Sequence, residues 1–286
     1  MIAPSDAQTR VGGQVKTRLK TLPVLTATLR ESQNLIGAAC GYIVVIGLLV
    51  GLLLPAFKTL NLQAYMTGSL GAMIGGTHPS PGTTLFAVYM ALELYGSFFM
   101  LLFGGVLAYA AGSSIARNIE DTTIDLTLAR DISRVRLYME KWAAILIAAT
   151  IIVATAIATT WACTLVFQNA SLTWRWFLLA NVDVGATMFV IAGAGMLVSA
   201  VMSSGRSAGG IAVLVVVFWY LCQTFGAAGD RLSFLKYLGP YSYAPSSQVI
   251  LSGQWVDPWK LLFPVAAGLI FGLAGLVYFQ RRDITA

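Results

Sequence analysis

Charge is scarce in this 286-residue chain: charged residues make up 10% of it, against about 25% in an ordinary soluble domain. With 57% hydrophobic residues, a soluble protein of this size would lack the polar surface to cover its core. Metal-binding and disulfide chemistry are equally poorly supplied. There is one histidine, His78, and three cysteines, Cys40, Cys163 and Cys222, with neither a ligand spacing nor a disulfide framework. The cysteines all fall in apolar runs and read as small buried hydrophobes. His78 lies in the turn-like Gly75-Gly-Thr-His-Pro-Ser-Pro-Gly82, which does not suit a serine–histidine hydrolase on facing helices. No G-x-x-x-x-G-K-[ST] motif occurs, nor any Gly-Lys pair, so the chain carries no phosphate-cradling loop. No cleavable leader is expected, because the first thirty residues are polar and basic and the first apolar run is too long for a signal h-region.

What the chain has in abundance is long apolar stretches. Hydropathy places spans near Leu35–Leu54, Leu94–Ile115, Trp142–Phe167, Val184–Met202, Gly209–Ala227 and Trp259–Phe279. At 1.5 Å per residue each can cross about 30 Å of hydrocarbon as a helix. Lipid offers the backbone no hydrogen bonds, so runs of this kind are helical, and the alternation of a barrel is absent. The expected fold is therefore an all-α polytopic membrane protein with six transmembrane helices. Residues 1–34 would form a cytoplasmic N-terminus, and residues 35–286 the transmembrane domain.

Six spans put both termini on one side. With the termini inside, thirteen of the Lys and Arg residues fall on inner segments, among them Arg117, Arg130, Arg134, Arg136, Lys141, Arg281 and Arg282. Five fall outside: Lys58, Arg175, Arg231, Lys236 and Lys260. This asymmetry predicts cytoplasmic termini, and it makes the net charge of +6 a sign of orientation rather than of nucleic-acid binding. Val15–Gln33 mixes basic and apolar residues and reads as an amphipathic interfacial helix interrupted by Pro23. Residues 229–258 are too apolar for a free loop, which predicts short re-entrant or interfacial helices before the sixth span. The Gly-x-x-x-Gly spacings at Gly37, Gly47 and Gly268 permit close helix packing, and most tryptophans fall near outer span ends, as in an aromatic belt.

Two groups of polar residues stand apart. The segment 117–141 carries both signs, with Arg117, Arg130, Arg134, Arg136 and Lys141 against Glu120, Asp121, Asp125, Asp131 and Glu140. Apolar residues such as Leu126 and Leu128 lie between them, and Asp131 or Ser133 is placed to cap a helix entering the third span. Composition alone leaves this segment as either a docking helix or a solvated connector. The second group is Glu93 and Asp183, the acids nearest membrane depth. They form either a candidate cation or proton site or, with their spans trimmed by one residue, outer-interface residues.

The segment from Glu120 through Thr122-Thr-Ile-Asp-Leu-Thr-Leu-Ala-Arg-Asp-Ile-Ser-Arg134 resembles the signature of the ABC-2 type transporter permeases. There a glutamate precedes Gly-Thr-Leu-Glu-Leu-Leu-Leu and a Pro-Val-Ser-Arg turn. Thr122 stands where glycine is usual and Asp131 where proline is usual. Gly239-Pro-Tyr-Ser-Tyr243 and Tyr278-Phe-Gln-Arg-Arg-Asp-Ile284 extend the likeness to the outer segment and the basic C-terminal exit. The resemblance implies a permease subunit of an ATP-binding cassette exporter, not itself an enzyme, in the plasma (inner) membrane of a prokaryote. It implies a coupling helix between spans two and three that docks on a separate cytoplasmic ATPase, with Glu120, Asp125, Leu126, Leu128, Arg130, Ser133 and Arg134 as contacts. ATP and Mg would be bound by that ATPase and no cofactor by this chain. The further partners implied are a second permease copy or paralogue and membrane lipid. The alternative is a secondary transporter driven by an ion gradient, which needs essential acids at membrane depth.

Overall fold

In the computed structural model, residues 23–57, 80, 83–122, 132–168, 170–228, 230–255 and 257–282 are described. Among them there is no strand, and six helices are long and apolar enough to cross a membrane. The chain is an all-α polytopic membrane protein. Its spans are α1 (Pro23–Phe57), α2 (Leu85–Glu120), α3 (Arg134–Val166), α4 (Trp174–Val201), α5 (Gly205–Ala228) and, after the short helix α6 (Ser246–Ser252), α7 (Leu262–Arg281). Every expected span is present, and each helix extends past its expected apolar run at one end at least.

The first helix shows why. Pro23 opens α1 instead of interrupting a surface helix, and residues 24–33 run without a break into the first span. Proline suits a first helical position, since its missing N–H would have no partner there anyway. The remainder of the proposed interfacial helix, residues 15–22, lies outside the described residues. So do residues 58–79, His78 among them, and positions 125, 126, 128 and 130 of the charged segment.

Helices α2 and α4 form the centre, with 61% and 67% of their most apolar windows buried against 22% for α7. Small residues let their backbones meet. A Cβ on Gly112 of α2 would lie 2.8 Å from the Ala208 carbonyl oxygen of α5, and one on Gly195 of α4 would lie 3.2 Å from the Ala108 carbonyl oxygen. Without a hydrophobic driving force between helices in lipid, such close van der Waals contact is what holds them. Two of the three spaced pairs face inward too: Gly47 meets Thr159, Gly51 the Phe167 ring and Gly272 the Trp142 ring, whereas Gly37 and Gly41 are exposed and a Cβ on either would meet nothing within 4 Å.

The bundle has two unlike ends. Pro23 and Arg282, the first and last described residues, lie at the one we call the terminal end. At the far end the chain between α5 and α7 folds into 3-10 helices at Asp230–Leu238, Pro240–Ser242 and Pro258–Leu261 around α6, in agreement with the short helices expected there. Tyr241 anchors this segment: it is 1% exposed, and its hydroxyl donates to the Met100 carbonyl of α2 at 2.7 Å. Burial, with Tyr220 nearby, raises its pKa and keeps it a donor. Tyr243 stacks on Phe263 with centroids 4.0 Å apart. The far half of α2 is wound differently again, as a 14-residue π-helix from Met90 to Phe103.

Candidate functional site

The charged segment joins α2 to α3, and both of its described flanks are tied to the rest of the bundle. Glu120, the last residue of α2, accepts from the Gly205 N–H at 2.7 Å and the Ser204 hydroxyl at 3.3 Å. A carboxylate at the start of α5 meets the positive end of that helix dipole. On the other flank, Ser133 caps α3 by accepting from the Arg136 N–H at 3.2 Å, as its position predicts. Arg134 donates to the carbonyls of Gln280 at 3.3 Å and Arg282 at 2.6 Å, where α7 ends. A guanidinium there meets unpaired carbonyls and the negative dipole end.

The same logic recurs around the terminal end. Arg282 donates to the Ala200 and Met202 carbonyls at 2.8 and 2.9 Å, closing α4. Glu140 accepts from the N–H groups of Val24 and Leu25 at 3.1 and 3.3 Å, opening α1, while Arg136 holds its other oxygen at 2.7 Å. Lys141, 1% exposed, donates to the Ser114 carbonyl of α2 at 2.8 Å. Ser199 of α4 accepts from the Ile115 and Ala116 N–H groups of the same turn. All six spans are thus joined by polar side chains placed on a neighbour's backbone. Glu120 and Arg134, read from sequence as contacts for a partner, also bond within the chain.

Beyond Glu120 the chain turns sharply. Asp121 donates to the Arg117 carbonyl at 2.8 Å, and Thr122 takes φ 52°, the left-handed region that glycine favours. A β-branched residue in that region is under strain.

The two acids are not brought together. Glu93, in the π-wound part of α2, is half-buried and lines a narrow cavity with Gly47 of α1 and Thr159 and Thr160 of α3. Asp183 is 1% exposed and sits nine residues inside α4, which starts at Trp174 rather than at Val184. Its Oδ1 accepts from the Trp255 indole at 3.2 Å, and its Oδ2 has no partner among the described residues. Two residues earlier, Asn181 donates to the Tyr95 hydroxyl at 2.9 Å and the Phe177 carbonyl at 2.8 Å. Sequence reasoning missed Asn181 and Tyr95 because nothing local pairs residues so far apart in the chain. Among the described residues no cluster of His, Cys, Asp or Glu is arranged to hold a metal ion.

These features define a class, a six-span membrane bundle whose helix ends are linked by polar side chains at one face. Residues 70–285 match the family described as protein of unknown function (DUF2705), and the chain belongs to that family. No curated protein matches it.

Proposed function

We propose that the chain is the membrane-spanning subunit of an ATP-driven exporter, of the ABC-2 type that its segment 120–134 resembles. The terminal end faces the cytoplasm, in keeping with the excess of basic residues there. The unit works as a dimer with a second copy or a paralogue in the inner membrane of a prokaryote. A separate ATPase, which holds ATP and Mg, docks on the segment between α2 and α3.

One observation carries this reading. Both flanks of that segment are bonded to the ends of distant spans, Glu120 to α5 and Arg134 to α7, and Arg282 carries the link on to α4. A push on the segment therefore reaches four helices directly. Transport follows if the two arrangements so selected bind cargo with different affinity. The test uses charges outside these ties. Asp125→Lys and Arg130→Glu are expected to abolish co-purification of an ATP-hydrolysing subunit while the chain stays folded. Purification of the native protein without such a subunit sinks the idea.

A gradient-driven carrier is the second reading, favoured by the burial of Asp183 with one oxygen unpartnered. It requires that Asp183→Asn abolish transport while the loop charges are dispensable.

A further inference from the structure

A cavity of about 400 Å³ opens at the far end, away from every charged tie described above. Its walls come from the start of α2, the residues leading into α4, and the end of α6. Its size falls within the roughly 300–1,000 Å³ of small-molecule sites. Six hydroxyl side chains line it (Ser80, Thr83, Thr84, Ser171, Thr173 and Ser252), and no charged residue is among the described lining residues.

Part of this hydroxyl set builds the walls. Ser80 and Thr83 share a hydrogen bond of 3.0 Å, and the Ser80 N–H and Thr83 hydroxyl both donate to the Leu251 carbonyl. The Thr84 hydroxyl caps α2 by accepting from the Ala87 N–H, and donates to the Ser171 carbonyl. These bonds fix α2, α6 and the approach to α4 around the space.

Ser252 is committed as well, its hydroxyl donating to the Gln248 carbonyl at 2.8 Å. The other two hydroxyls of the set are not. The Ser171 and Thr173 hydroxyls and the Trp176 indole N–H make no hydrogen bond among the described residues. Thr173 is the N-cap of α4 yet does not cap it, although an N-cap threonine ordinarily accepts from the first turn. Gly253 holds the wall opposite at φ 61°, and a Cβ there would lie 3.4 Å from both the Ser80 hydroxyl and the Trp176 indole nitrogen. Leu172, Ile250 and the Trp176 ring complete an apolar side.

A wall of free neutral donors and acceptors beside an apolar and aromatic one matches a molecule with hydroxyls on its edge and C–H groups on its face. We propose that this cavity binds a neutral, polyhydroxylated ligand of saccharide type, hydrogen-bonded by Ser171, Thr173 and Trp176. An anion is disfavoured because the described lining residues bring no cation. The nearest in sequence, Arg175, lies over the Trp176 ring at 4.8 Å.

The inference goes beyond the exporter reading, since binding to the chain alone requires no ATPase. The purified full chain is placed in lipid nanodiscs, because sugar-headed detergents would compete. Equilibrium binding of radiolabelled maltose is then measured, with inorganic phosphate as competitor. Saturable binding that phosphate does not displace is expected. Thr173→Val and Trp176→Phe each remove one uncommitted group and should weaken it about fivefold, the effect of one hydrogen bond. Thr173 is exposed and caps nothing, so its substitution leaves α4 intact should Trp176→Phe fail to fold. Absence of saturable maltose binding, displacement by phosphate, or wild-type affinity in a folded Thr173→Val variant overturns the proposal.

Discussion

At the terminal end of the bundle, charged side chains close the helix ends; at the far end, most of the ties described come from neutral groups and two of them reach the middle of a span. Glu120 and Glu140 bond the start of a neighbouring helix, and Arg134 and Arg282 the end of one, each with the sign that the neighbour's dipole favours. Across the molecule, the contacts that hold the chain together are the Tyr241 hydroxyl, the Thr84 hydroxyl, the Trp255 indole and aromatic stacks. The contrast teaches that basic residues which orient a membrane protein can also be structural. An arginine close to unpaired carbonyls satisfies them and meets the negative end of the helix dipole.

The sharpest way to break this comparison is to wedge the terminal end apart. Gly112→Val would drive side-chain atoms into the Ala208 carbonyl and Ala212. It is expected to cost about 3 kcal/mol, as overpacking does, read by thermal unfolding in detergent. Next is Glu140→Ala, which leaves the first N–H groups of α1 and the Arg136 guanidinium without their acceptor. A loss of about 2 kcal/mol is expected, together with faster proteolysis near Pro23. Thr122→Gly should act in the opposite direction. Relieving a left-handed β-branched residue raises stability by about 1 kcal/mol, and an unchanged or lower unfolding temperature would contradict the turn. The far end should yield less: Tyr241→Phe removes one buried hydrogen bond, with about 0.5–1 kcal/mol lost. Were Tyr241→Phe to cost more than Glu140→Ala, the ranking of the two ends would be reversed.

All six spans were legible in the sequence, because a charge-free run of twenty residues has few alternatives to a helix in lipid. Their limits were not. The start of α4 lies ten residues before the expected Val184, because Asn181 and Asp183, both buried, lower the hydropathy of the stretch ahead of it. Ser133 was legible as a cap, since capping is local in sequence. The bond from Glu120 to Gly205 was not, as 85 residues separate them and any carboxylate near a span end looks alike in sequence. The glycine position occupied by Thr122 was visible as a departure from a pattern, and the left-handed turn supplies its physical meaning. The π-winding left no mark on the sequence. Tyr95, Phe99 and Phe103 recur every fourth residue, as they would on an ordinary helix.

That winding has a consequence for reach. With its hydrogen bonds closing five residues back instead of four, the stretch Met90–Phe103 packs more residues into each turn than the α-wound half below it. Reverting to four-residue closure would lengthen the helix like a drawn telescope and rotate everything beyond it. The stretch is therefore shorter for its number of residues than an α-helix would be, within one continuous rod.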